Sequence, residues 1–279
     1  MPEQLNAKLR ELERTAHQFA TNVMAPLQNA VFAEEQSEVD AIAQLIDASK
    51  TAGFFRMTQP EAYGGTAAGT LQLVVARDAL ASHNPRWLPE VFGPGPGVLG
   101  NTGEPLRSAY LAPLMEGTKR AGFGFTEPSD AEHYTRAERR GDSLIINGRK
   151  SYVTRGAEVD FVNVLLDVGD EGRAFVVVDT DRSGVVKERL FGSIDGTHHA
   201  AFRFDDVEVP ASHLVGVPGE GMPKAMRQIG NTRMIMAAEA VGRARWVIDH
   251  LSNRLAHTER HGGVKDSVRL RYGELRIKV

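Results

Sequence analysis

The stretch FGFTEPSD, Phe123 to Asp130, decides how the chain is read. An aromatic-rich run that halts at Thr126-Glu127-Pro128 has the look of a strand cut short, because proline has no N–H to give to a ladder. Taken alone, the triplet does no more than end that strand. Its hydroxyl and carboxylate nevertheless stand side by side where backbone N–H groups are released from pairing and free to meet a ligand.

On the N-terminal side the apolar residues recur at helical spacing: Leu5, Leu9 and Leu12, then Phe19 and Val23, then Ile42, Leu45 and Ile46. Pro26 and the loop Thr58 to Gly65 punctuate this layer, and a new helix is predicted to begin near Gly69. Phe92 to Gly97 breaks it again, and a last helix is expected from Glu104 to Met115. On the C-terminal side the pattern changes to short alternating runs, TRAERRGDSLIINGRKSYVT, FVNVLLDV, RAFVVVD and AAFRFDDVEV. Asn147-Gly148 predicts a type I′ hairpin inside the first of these, since both central residues of that turn need positive φ. Pro210 closes the last strand, and a long helical pattern runs from Gly221 through Met226, Ile229, Met234, Val241 and Val247 to Leu251, with a second helix from about Ser267. The fold class expected is α+β: a helical domain over 1–118, an antiparallel, barrel-like β-domain over 119–215, and the start of a C-terminal helical bundle over 216–279. No repeat period points to a solenoid.

Composition narrows the function classes. With 42% apolar and 25% charged residues among 279, the chain is an ordinary globular protein with a buried core. Lys plus Arg number 33 against 36 Asp plus Glu, a formal charge of −3, so no field draws a nucleic-acid backbone. The absence of cysteine excludes disulfides, thiol nucleophiles and zinc-thiolate clusters, and fits a reducing compartment. MPEQLNAKLRELERTAHQFATNV mixes acids and bases at helical spacing without an apolar stretch, which makes it a helix rather than an export signal. No run nears the roughly 18 apolar residues of a membrane helix. A cytoplasmic protein without a membrane span is expected. His198-His199 face opposite ways if the strand is regular, so no metal site is expected.

Read in order, these segments resemble the acyl-CoA dehydrogenase family of flavoproteins from about Phe19 onward. The resemblance rests on Pro60-Glu61 with Tyr63-Gly64-Gly65, Phe125-Thr126-Glu127-Pro128, Asn147-Gly148 with Lys150 and Tyr152-Val153-Thr154, and Phe204-Asp205-Asp206-Val207 with Val209-Pro210. Gly219-Glu220-Gly221, Arg233, Ala237-Ala238 and Val241-Gly242 complete the series. It implies FAD as cofactor. Phe123 and Phe125 would then line the isoalloxazine wall, and Thr126 would hydrogen-bond the ring's polar edge. Tyr152 stands where the family most often has tryptophan packed on the flavin, and Thr154, two residues on and so on the same face, would bond near its reactive nitrogen. Without the resemblance, Tyr152 and Thr154 are equally a surface pair of β-formers. Arg233 and Arg260 match arginines that meet FAD phosphates or adenine, although His261-Gly262-Gly263 replaces the aromatic that usually follows the second. Either arginine is otherwise a solvated helix charge.

The sequence departs from the family in two places. The small-residue loop after Thr-Glu-Pro shrinks to Ser129-Asp130, of which Ser129 is the best match to a substrate-binding serine. The catalytic glutamate has no counterpart: some members carry it immediately before the arginine matched by Arg233, and that position is Thr232. Glu239, two turns on, is a candidate base, or else a helix charge paired with Arg243 at i+4. The resemblance implies α,β-desaturation of an acyl-CoA in fatty acid or lipid metabolism, with hydride passing to FAD and then to an electron-transfer acceptor. It also implies a homo- or hetero-oligomer, since a bare apolar face on the helix after Gly221 invites association. The alternatives are a flavin-dependent monooxygenase on the same fold and a non-catalytic partner subunit lacking the base.

Overall fold

Helix caps set the N-terminal elements. Asn6 accepts a hydrogen bond from the Leu9 N–H at 3.0 Å and opens α1 (Ala7–Phe19). A wide π turn over Ala20–Met24 precedes Pro26, which brings no N–H, and the chain continues as α2 (Ala25–Phe32). Ser37 caps α3 (Glu38–Ala52), which ends at Gly53 with φ +87°. Then come α4 (Thr70–Ala81) and the single turn α5 (Leu88–Val91). Where one helix was expected from Glu104 to Met115, the chain forms a π segment, Arg107–Leu111, and α6 (Ala112–Glu116).

The computed structural model describes residues 4–193, 198–260 and 263–279, apart from the side chains of Glu259 and Arg260. It divides into two units. One holds Met1–Thr58, Gly65–Gly93 and Asn231–Val279; the other holds Gln59–Gly64 and Pro94–Gly230. The first unit is helical, its core built from Ala16, Phe19, Met24, Leu45, Phe54, Leu80 and Leu88, with Phe19 set edge-on to Phe54.

The second unit is built on a sheet of β1 (Ala121–Gly124), β2 (Arg136–Arg140), β3 (Ser143–Thr154), β4 (Phe161–Val168), β5 (Arg173–Asp179), β6 (Val185–Gly192), β7 (His198–Pro210) and β8 (Leu214–Val215). Its order is β6-β7-β3-β2-β4-β5-β8. The sheet is mixed rather than wholly antiparallel. Among the described residues β1 and β2 both run parallel to β4, lying end to end along it: Gly124 faces Val164 and Arg136 faces Asp167. Residues 125–135 therefore leave the sheet and return to it within a few residues of β4. One face buries Leu144, Ile146, Val164, Val176, Phe202 and Val207, the other Phe161, Leu165, Phe175 and Val177.

The hairpin expected at Asn147-Gly148 is not formed. Both residues lie inside β3, at a register shift against β7. Gly148 has φ +144°, and a Cβ there would stand 2.5 Å from the Thr135 Cα, so the glycine serves a close approach of two backbones. Asn147 exchanges two 2.9 Å hydrogen bonds with Asp206 instead of reversing the chain. The reversal falls at Gly141-Asp142, between Arg140 and Ser143, with Gly141 at φ +59°.

After the sheet, α7 (Gly221–Arg260) runs unbroken for 40 residues, followed by α8 (Asp266–Lys278). Among the described residues no helix is long and apolar enough to cross a membrane.

Candidate functional site

The end of β1 is shaped by what its two faces can hold. A Cβ on Gly122 would sit 2.8 Å from Val153 Cγ1, and one on Gly124 2.9 Å from Val162 Cγ1, so that face admits only glycine. On the other face Phe123 and Phe125 lie parallel, 6.0 Å between ring centres, and Phe123 leans on Phe175. Past Gly124 the ladder stops, but the chain stays tied to β3: the Ser151 N–H donates to the Thr126 carbonyl at 2.8 Å. The Thr126 side chain is exposed, and Ser129 sits exposed in the turn that follows.

Glu127 turns inward. Its Oε1 accepts from Lys150 Nζ and from the Thr135 N–H, both at 2.7 Å, and Lys150 Nζ also reaches the Phe125 carbonyl at 3.4 Å. The Lys150 side chain is only 2% exposed and that of Glu127 15%. Burial alone pushes the Glu127 carboxyl up, but the bonds from Lys150 and Thr135 together outweigh it and hold the group below the usual carboxylate range. For Lys150 burial wins: it pulls the ammonium below the ordinary lysine value, and Glu127 restores part of the loss.

Next along β3, Ser151 and Val153 are buried while Tyr152 and Thr154 point outward, as a two-residue period requires. Tyr152 is 60% exposed and holds φ +57°, a left-handed conformation rare for an aromatic residue, within a second register shift against β7. Its ring stacks on Phe191, with centres 5.1 Å apart. The buried Ser151 Oγ has no hydrogen-bond partner among the described residues.

Two clefts flank residues 127–129, which line both. The larger, about 1110 Å³, is bounded by Phe125, Thr126, Tyr134, Leu165 and Met222; the smaller, about 700 Å³, by Arg149, Tyr152 and Phe191. Of the residues singled out in the sequence, Phe125, Thr126 and Ser129 line the first and Ser129 and Tyr152 the second.

The α7 candidates are placed differently. Arg233 is exposed and makes no hydrogen bond or ion pair among the described residues; the side chain of Arg260 lies outside them. Glu239 does not pair with Arg243. It forms an ion pair with Arg77 of α4, whose guanidinium also lies over the Phe92 ring at 4.0 Å. Arg243 instead donates to Asn84 Oδ1 at 2.7 Å and the Pro85 carbonyl at 3.3 Å, and Arg245 pairs with Asp78. Gly242 explains the crossing: a Cβ there would lie 2.4 Å from the Asp78 carbonyl, so α7 comes close enough for its charges to find partners on α4 rather than along its own axis. Sequence reading missed Arg77, Asp78 and the Glu127–Lys150 pair. Only a lysine within an otherwise β-forming, inward-facing run hinted that a carboxylate should meet it.

Residues 6–118 match the family described as acyl-CoA dehydrogenase, N-terminal domain. Cyclohex-1-ene-1-carbonyl-CoA dehydrogenase of Geobacter metallireducens is 30% identical over 245 residues, which cover 82% of this chain and 63% of that enzyme. The chain belongs to the acyl-CoA dehydrogenase family. Among solved structures of the acyl-CoA dehydrogenase fold, a probable acyl-CoA dehydrogenase from Mycobacterium abscessus superposes with a TM-score of 0.78 at 24% identity, over 97% of this chain and 76% of that one. A glutaryl-CoA dehydrogenase from Mycobacterium smegmatis in complex with FADH2 superposes with a TM-score of 0.70 at 22% identity, over 88% and 64% of the respective chains. The chain spans less than two thirds of the length of the first curated relatives it matches.

Proposed function

We propose that this chain is an acyl-CoA dehydrogenase-like flavoprotein acting on the Cα–Cβ bond of an acyl-CoA thioester. One observation carries the reading: Thr126, released at the end of β1, is tied by its carbonyl to β3 one residue before the outward, left-handed Tyr152, with Thr154 on the same face. An exposed aromatic ring on a left-handed backbone, with the exposed Thr154 two residues on and the exposed Thr126 tied to the residue before it, suits a planar, polar-edged ring such as that of FAD. FAD, when bound, supplies the hydride acceptor.

In this reading Tyr152 packs on the ring, Phe123 and Phe125 form the apolar wall, and Thr126 and Thr154 hydrogen-bond its edge. Arg233 and Arg260 meet phosphate, for which a planar fork is suited. Ser129 contacts the thioester ligand. Removing the α proton needs a carboxylate at hydrogen-bond distance, about 3 Å. The ion pair with Arg77 gives Glu239 a structural task, so no described carboxylate is assigned as that base. Oligomerisation, an electron-transfer partner and a cytoplasmic site of action belong to the same proposal.

The test is the visible absorbance of the purified chain after gel filtration, with its mass from the same run. A retained two-banded flavin spectrum, weakened in Tyr152→Ala, is expected. A protein that is colourless and stays so with excess FAD overturns the reading.

A further inference from the structure

Three consecutive residues after β1 are held by two consecutive residues of β3. The Phe125 carbonyl and the Glu127 carboxylate both accept from Lys150 Nζ, at 3.4 and 2.7 Å, and the Thr126 carbonyl between them accepts from the Ser151 N–H at 2.8 Å. The Thr135 N–H closes the far end of the loop on the same carboxylate at 2.7 Å. Immediately beyond Ser151, β3 loses register with β7 between Lys150 and Val153, the stretch that contains Tyr152 at φ +57°.

A buried ion pair contributes little to stability over an apolar pair of equal volume, since desolvation offsets the attraction. What it supplies is geometry, because only one arrangement satisfies both charges. Here the satisfied arrangement brackets Thr126 on both sides and anchors the strand at the residue where its ladder gives way.

We propose that Lys150 and Glu127 are positioning residues: their ion pair sets Thr126 and Tyr152 in the relative placement the flavin site requires, while neither touches the ring. This rests on the flavin reading above, but its structural half is independent of FAD. Supporting residues of this kind act through the groups they orient.

The experiment compares wild type, Glu127→Gln, Lys150→Met and the conservative Glu127→Asp, by amide hydrogen exchange on FAD-free protein and then by FAD titration with flavin spectra and reduction potential. Exchange at the Ser151 amide is expected to rise about tenfold or more in Glu127→Gln and Lys150→Met, with Val162 and Val176 in the sheet core unchanged. FAD affinity is expected to fall about tenfold, with a shifted spectrum and potential, and Glu127→Asp to restore part of each. Should Glu127→Gln fail to fold, Glu127→Asp carries the test by the same readouts. An unchanged Ser151 exchange rate overturns the clasp whatever FAD does. Faster exchange with unaltered FAD affinity, spectrum and potential overturns its role at the site. Wild type that takes up no FAD overturns the functional reading, and the role proposed for the clasp with it, while the exchange data still decide whether Lys150 and Glu127 hold Thr126.

Discussion

The loop after β1 and the middle of α7 both carry family motifs with a carboxylate near the centre, yet they use it differently. At Glu127 the acid is enclosed with Lys150 and a backbone N–H, and the motif residues Thr126 and Tyr152 on either side of that internal knot are exposed. At Glu239 the acid binds Arg77 on another helix, and Arg233 of the same motif series is left in solvent. A strand end can aim a side chain because its neighbours on both sides are pinned. A helix charge is free to take whichever partner tertiary packing brings near, and here the close approach at Gly242 brings Arg77, Asp78 and Asn84.

The contrast is open to breaking. The largest effect is expected at Glu127→Ala, which strands a lysine that is 2% exposed: about 3–5 kcal/mol of stability lost, read by urea denaturation. A loss below about 1 kcal/mol, the level of an exposed pair, would erase the distinction between the two regions. Glu239→Ala should cost less, about 1.5–3 kcal/mol, because Arg77 keeps 15% exposure and its place over Phe92. A cost equal to that of Glu127→Ala would show that the α7 pair is as enclosed as the other.

Acid gives a finer test. Glu127 is held below its ordinary range, its bonds to Lys150 and Thr135 outweighing burial, so the folded state binds fewer protons there than the unfolded one. Its contribution is complete above the unfolded carboxylate value, about pH 4.3, and drains as pH falls through the lower folded value. The stability gap between wild type and Glu127→Gln should therefore stay flat from about pH 7 to 5 and narrow below about pH 4. A gap that widens on acidification would reverse the sign assigned to the group. Smallest of all, Arg233→Ala should leave the unfolding free energy nearly unchanged, within about 0.5 kcal/mol by urea denaturation, as an exposed residue does. Its FAD affinity should fall nonetheless; unaltered affinity would remove Arg233 from the site.

The helical layer, the β region and the long final helix were legible because burial periods of 3.6 and 2 are written in single segments. Thr126, Tyr152 and Thr154 were singled out by resemblance to family motifs, and the shared outward face of the last two was expected from the pleat, whereas the left-handed backbone of Tyr152 at a register shift was not. Asn147-Gly148 misled because the positive φ that glycine permits serves a turn and a close backbone contact equally well, and only Thr135 pressing on Gly148 shows which. The parallel placement of β1 and β2 along β4 was hidden for a similar reason: strand direction is a property of pairs.

Sequence by itself determined the kinds of element, their order and the side chains that face outward, since these depend on neighbours a few residues away. Tertiary structure alone decided that Glu127 meets Lys150 across 23 residues and Glu239 meets Arg77 across 162. A buried charge must find its opposite, and which opposite lies within about 3 Å is settled only when the backbones have packed.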